Sequence, residues 1–306
     1  MKKAFLTLST TLLLFTSTVT SAAWWNYTET KYPIVLVHGI SGFDSIGGLV
    51  DYFHTVPYNL ERSGAKVYVA SVSAFNSSEI RGQQLADYLM TLPEDKFNLI
   101  AHSQGSPTSR VAAALVPNKV ASVTSVNGVN TGSAVADIVL GVIPEGVALS
   151  VAASIANGFG DIIGLLSDSS NPQDSLAGAV TLSTAGTTAL NNALDWDGVS
   201  QNCSSISENV DVSGYNIKMF SWTGNKALTN IFDVSDVLLG TTSLAFAGEQ
   251  SDGMTSVCSA KLGNVIGSSY DLNHVDAINH LFGVTGWTNP VSLFRSHANR
   301  LKNKNL

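Results

Sequence analysis

Leu99-Ile100-Ala101-His102-Ser103-Gln104-Gly105 carries an apolar run into a turn bounded by small residues. The run begins at Phe97 and reads as a buried strand. Ser106 to Val116 behind it has helical spacing, with Pro107 in the first turn, where a missing N–H does no harm. A serine on so sharp a strand-to-helix turn needs small residues two before and two after it, because strand and helix approach too closely for side chains there. The resulting strain holds the hydroxyl out for attack. Gly105 meets that need, and Ala101 stands where glycine is more usual. The pattern alone is weak; the strand before it and the helix after it raise it.

Similar apolar, β-branched runs lie on either side: Ile34-Val35-Leu36-Val37 before His38-Gly39, Lys66 to Val72, Val120 to Val126 and Ile217 to Trp222. Helical spacing recurs between them, as in Ser78 to Thr91. Fully apolar strands alternating with helices imply a mostly parallel central sheet flanked by helices on both faces, an α/β fold. No repeat or Pro-rich linker divides the chain, so one domain is expected from 24 to 306.

Of the 306 residues 44% are hydrophobic and only 13% charged, with a net charge of −7. An acidic chain lacks the basic footprint that nucleic-acid backbone binding needs, and this apolar content excludes disorder. Met1-Lys2-Lys3, an apolar run to Val19 and the small residues Thr20-Ser21-Ala22-Ala23 read as a secretory signal over 1–23. Its removal leaves a net charge of roughly −9. The two cysteines of an exported chain, Cys203 and Cys258, are expected to pair. One further segment, about 145–166, places Val151, Ile155, Phe159, Ile163 and Leu166 in a stripe opposite a face of Ser, Ala, Gly and Asn. Such a weakly polar helix suits both a wet and an apolar environment, or an ordinary core.

A serine nucleophile needs a base. His102 is adjacent to Ser103 and points away from it, and His38 closes a strand as a loop-positioning residue. His54 reads as partly buried and structural. His297 falls on the solvated face of a C-terminal helix, Leu293 to Leu301. His274 precedes a helical-looking stretch on which His280 lies, and a loop can aim it, so His274 is the expected base. In strand–turn–helix hydrolases the acid falls between serine and histidine in chain order. Asp252 in Ser251-Asp252-Gly253 fits, and so do Asp233 and Asp236; order alone leaves the three open.

Tyr32-Pro33-Ile34-Val35-Leu36-Val37-His38-Gly39, Ala101 to Gly105, Leu272-Asn273-His274-Val275-Asp276, Ser251-Asp252-Gly253 and the ending His297 to Asn303 together resemble the secreted bacterial true lipases of family I, the Pseudomonas–Burkholderia type with its Vibrio and Acinetobacter relatives. The resemblance covers the whole mature chain. It implies an α/β-hydrolase fold with a mobile lid helix at 145–166, acting on triacylglycerol esters. It assigns Ser103 as nucleophile, Asp252 as acid and His274 as base, and the backbone N–H groups of Ile40 and Gln104 as oxyanion donors. It further implies one structural Ca²⁺ on Asp233, Asp276 and the main-chain oxygens of His280 and Val284, and it matches Cys203 and Cys258 to the family disulfide. Relatives of this kind often need a membrane-anchored foldase and leave the periplasm by the type II route. An extracellular monomer acting at an oil–water interface is therefore expected. A carboxylesterase or phospholipase with the same triad is the nearer alternative, and a non-catalytic secreted protein on the same fold is the remote one.

Overall fold

The computed structural model describes residues 25–40, 45–46, 50–166, 173–200, 202–280 and 282–306. The expected signal segment, 1–23, lies outside them. In chain order the sheet strands are β1 (Ile34–Val37), β2 (Val67–Ala70), β3 (Phe97–His102), β4 (Val120–Val126), β5 (Asn209–Val212), β6 (Tyr215–Gly224) and β7 (Asn264–Tyr270). The helices are α1 (Val56–Glu61), α2 (Ser78–Thr91), α3 (Gly105–Leu115), α4 (Ala134–Val139), α5 (Leu149–Leu166), α6 (Ser175–Leu182), α7 (Thr184–Leu194), α8 (Ser235–Ser243) and α9 (Pro290–Asn303). Residues 45–46 and 50–51 pair as a separate antiparallel ladder.

Strands β2, β1, β3, β4 and β6 lie side by side in that order, all parallel. Along the outer edge of β6, its first half pairs antiparallel with β5 and its second half parallel with β7. Seven strands thus form one mostly parallel sheet, as the apolar runs imply. Two of them, β5 and β7, are not legible as such runs. β5 alternates exposed and buried residues at an edge, and joins β6 through Ser213-Gly214, both at positive φ, the geometry of a tight hairpin turn. β7 carries Gly267-Ser268-Ser269 and is only half-buried.

Period-2 alternation sends successive side chains to opposite faces, so each central strand feeds two cores. Val35, Val37, Leu99, Ala101 and Val123 pack with Leu85 and Leu89 of α2 and Ala112 of α3. Ile34, Leu36, Ile100, Val126 and Phe220 pack with Leu60 of α1 and Phe294 and Leu301 of α9. Phe294 is fully buried between Phe53 and Trp222, so its truncation to Ala should cost ~3–5 kcal/mol.

The face of α9 that meets the sheet holds His297, which is 1% exposed and not solvated as its sequence context suggests. It packs on Phe220 and Trp222, and its Nε2 lies 2.8 Å from the Thr124 hydroxyl. The apolar periodicity of the helix located the buried stripe but not the one polar side chain with a partner inside it.

Beyond the sheet, α5 lays Ala152 and Ile155 on Val135 and Ile138 of α4 and on Ala245 and Phe246, while Ser150, Ala153, Ser154 and Asn157 face solvent. A helix thus spans Leu149–Leu166 within the expected 145–166; as far as Asn157 its buried residues fall on one side, and the side chains of Phe159, Ile163 and Leu166 lie outside those described. Among the described residues no helix is long and apolar enough to cross a membrane.

Candidate active site

The carboxyl ends of the parallel strands deliver the functional side chains to one place, as open α/β sheets do. β1 runs out into His38-Gly39-Ile40, β3 into His102-Ser103-Gln104, and β7 into the loop that carries His274. Ser103 has φ 55°, a left-handed conformation that costs a non-glycine residue strain. Its neighbours explain how it is held. Ser103 N–H donates to Val126 O at 3.0 Å, and Ser103 O accepts from Ser106 and Val129 N–H. A Cβ on Gly105 would run into the Val37 carbonyl, and one on Gly39 would come within 2.6 Å of the Ser103 Cβ. Small residues stand where the elbow brings backbones together.

His274 Nε2 lies 2.9 Å from Ser103 Oγ, and His274 Nδ1 lies 2.7 Å from Asp252 Oδ2. Asp252 is completely buried, and its Oδ1 accepts from Met254 and Thr255 N–H at 2.9 and 2.7 Å. The two segments are tied a second time, since His274 N–H donates to Asp252 O at 2.9 Å. A carboxylate on Nδ1 fixes the proton there, which leaves Nε2 as the acceptor facing the hydroxyl. The three residues thus form one hydrogen-bonded row. Asp233 and Asp236, open by chain order, point elsewhere: Asp233 Oδ2 takes the Asn273 amide at 3.1 Å, and Asp236 takes Thr229 and Asn230 N–H.

Ile40 and Gln104 flank the serine. Among the described residues neither backbone N–H has an acceptor. The Gln104 side chain is anchored away from the site, donating to Asn76 O at 2.8 Å. Ile40 and Ser103 line a small cavity of about 20 Å³ with Val129, Val135, Leu182 and Met254, a mostly apolar lining. Ser103 is 4% and His274 8% exposed, so this form of the site is nearly closed to solvent.

Behind His274 sits an acidic cluster arranged around Asn273. Asn273 Nδ2 donates to Asp233 Oδ2 and Asp236 Oδ1, while its Oδ1 accepts from Val275 and Asp276 N–H. Asp276 Oδ2 accepts from the Thr229 hydroxyl at 2.7 Å, but its buried Oδ1 has no partner. Burial first, and the nearby Asp233 charge in addition, push the Asp276 carboxyl up to about 7. An orphaned carboxylate oxygen beside a second carboxylate fits a hard cation. Among the described residues no three His, Cys, Asp or Glu side chains group to hold a metal by themselves. A bound ion would therefore need main-chain oxygens, as expected for His280 and Val284 on the following loop.

Cys203 and Cys258, expected to pair, lie beside each other, both half-buried. Their side chains interact directly.

A strained serine at a strand–helix elbow, in line with a histidine and a buried aspartate on a parallel sheet, is the arrangement of hydrolases that work through a serine. Residues 32–277 match the α/β hydrolase fold family, and the chain belongs to it. It is 46% identical over 288 residues to a triacylglycerol lipase of Vibrio cholerae, covering 92% of this chain and 90% of that one. Triacylglycerol lipases of Burkholderia plantarii and Pseudomonas fragi are each 37% identical, over 90% and 91% of this chain and 87% and 98% of theirs. Among solved structures, the mature lipase BlEst2 of Bacillus licheniformis shares the fold, with a TM-score of 0.61 at 18% identity over 89% of this chain and 93% of that one.

Proposed function

We propose that this protein is a secreted triacylglycerol lipase that works through an acyl-enzyme on Ser103. The observation that carries the reading is the hydrogen-bonded row from Asp252 through His274 to Ser103, whose serine lines a small, mostly apolar cavity. His274 Nε2 takes the proton as Ser103 Oγ attacks the ester carbonyl, and Asp252 stabilises the imidazolium that forms. The N–H groups of Ile40 and Gln104 receive the oxyanion; fixed amides do so without reorganising at the moment of reaction. His274 then gives the proton to the leaving glycerol oxygen, and water resolves the acyl-enzyme with the same base.

Asp233 and Asp276 would hold a Ca²⁺ ion, with the main-chain oxygens of His280 and Val284. Held there, the ion would offset the charge of these carboxylates, and Asp276 and Asp233 would tie the loop of His274 to that of Asp233, a structural role. The one-sided contact of the first half of α5, residues 149–157, supports its reading as a lid that can leave its underlying residues when its apolar face finds lipid. Export through the periplasm supports pairing of Cys203 with Cys258. Foldase assistance and type II export belong to the same reading.

The test is hydrolysis of an emulsified long-chain triacylglycerol and of a soluble short-chain ester by the purified mature protein, beside Ser103→Ala. Loss of triacylglycerol hydrolysis in the variant is expected. Activity on the short ester alone would make the protein an esterase, and no activity from folded protein would leave the non-catalytic reading.

A further inference from the structure

Two polar side chains beside the site have no role in the chemistry above, Tyr52 and His102, and both are buried. Tyr52 Oη accepts from Gly39 N–H at 3.0 Å and lies 2.7 Å from His102 Nδ1. The other ring nitrogen, His102 Nε2, lies 2.9 Å from the main-chain oxygen of His274. The His102 ring also packs against the His274 ring, with centroids 4.6 Å apart.

These contacts have only one consistent direction. A carbonyl oxygen can only accept, so His102 Nε2 carries the proton and donates to His274 O. No hydrogen-bonded carboxylate accompanies His102 among the described residues, so the buried ring is neutral and Nδ1 is an acceptor. Tyr52 must then donate its O–H to Nδ1 while its oxygen accepts from Gly39 N–H. The chain runs Gly39 N–H to Tyr52 O–H to His102 to the His274 carbonyl, with every proton assigned.

We propose that Tyr52 and His102 are positioning residues that hold the oxyanion strand and the backbone of the base in register with Ser103 through this single directed chain. The proposal rests on the reading of Ser103 and His274 as nucleophile and base. Three segments far apart in sequence meet in the relay. Gly39 precedes the expected oxyanion donor Ile40, His102 precedes the nucleophile, and the last acceptor is the main chain of the base itself. Reversing the His102 tautomer would turn its Nε2 lone pair toward the His274 carbonyl. It would also make Nδ1 a donor, so the Tyr52 oxygen would have to accept where it now donates.

The experiment combines kinetics on a soluble short ester, p-nitrophenyl butyrate, with nitrogen-15 NMR of histidine-labelled protein. Tyr52→Phe keeps the packing and removes the hydroxyl. His102→Gln keeps a donor, and His102→Leu keeps none. Each of Tyr52→Phe and His102→Leu should lower kcat roughly tenfold or more with KM within about twofold, and His102→Gln should lose less. Because the two residues act in one chain, the Tyr52→Phe/His102→Leu double variant should fall no more than about threefold below the weaker single variant. In NMR, His102 should carry its proton on Nε2 in the wild type and lose that single tautomer in Tyr52→Phe.

A wild-type His102 protonated on Nδ1, singles whose losses multiply in the double variant, or an unchanged kcat in Tyr52→Phe would each overturn the relay. The tautomer measurement uses folded wild type and needs no activity. It therefore separates failure of the relay from failure of the hydrolase reading, which Ser103→Ala tests.

Discussion

The guanidinium of Arg81, fully buried, donates to the His38 carbonyl at 2.6 Å. The same group reaches Gly39 O at 3.1 Å and Ala74 O at 3.3 Å, and its Nε donates to the Thr108 hydroxyl. No carboxylate pairs with it among the described salt bridges. A buried cation is thus held by carbonyls and one hydroxyl, with no carboxylate, and two of those carbonyls, His38 and Gly39, belong to the strand end that carries Ile40. Arg81→Met would leave several buried acceptors unsatisfied and should cost about 3 kcal/mol of stability. Urea unfolding beside short-ester kinetics checks it; Arg81→Lys should recover only part, because one ammonium cannot reproduce the planar fork. An unchanged midpoint for Arg81→Met would contradict this account.

Buried imidazoles make the fold acid-sensitive. Burial first, with Arg81 beside it, lowers His38 to about 3, and burial with Arg300 does the same for His297. Between about 6.5 and 3 the unfolded chain binds a proton at each position and the folded chain does not. Stability is therefore at its full value above pH 6.5 and falls as pH drops through that window, by ~1.4 kcal/mol per pH unit for each group. Unfolding midpoints measured from pH 7.5 to 4.5 should show this slope. His297→Gln should flatten it by about one such contribution, and an equal slope in wild type and variant would refute the assignment.

Calcium should raise the melting temperature and a chelator should reverse the gain. At a hundredfold excess over Kd the stabilisation is about 2.7 kcal/mol. Asp276→Asn removes the carboxylate whose Oδ1 has no protein partner, and should abolish the response to the ion. Differential scanning calorimetry with and without Ca²⁺ decides it, because a calcium response that survives in Asp276→Asn would move the ion elsewhere.

The two small residues of the elbow should differ in tolerance. Gly105→Ala drives a methyl into the Val37 carbonyl, with the His38 carbonyl 2.9 Å away, and backbone cannot yield as a side chain can. It should cost ~3 kcal/mol and most of the ester activity. Ala101→Gly removes a methyl and loosens a strand, so it should cost about 1 kcal/mol and keep activity. Equal effects of the two changes would mean that the approach of β3 and α3 to β1 is not the constraint.

Legibility in the sequence followed burial. β1, β3 and β4 are buried along their whole length, and uninterrupted apolar runs announce them. β5 and β7 lie at the edge of β6, where half of each strand faces outward and Ser, Asn and Gly are tolerated, so no such run marks them. The histidines show the same limit. His297 on α9 has charged neighbours in sequence, yet its own position falls inward on the helix, against Trp222.

By itself the sequence determined the α/β alternation, the elbow at Ser103 and a short list of partners for it. Those features follow from periodicity and from local steric demands, which act over a few residues. Only the tertiary structure decided which aspartate joins the row, since Asp233, Asp236 and Asp252 all satisfy chain order. Asp252 reaches His274 because two loops meet at the carboxyl ends of the strands, while the other two acids turn to Asn273 and the 229–230 backbone. The bond from His274 to Ser103 closes a separation of 171 residues. Its geometry is set by the packing of every strand between them, and no local pattern contains that information.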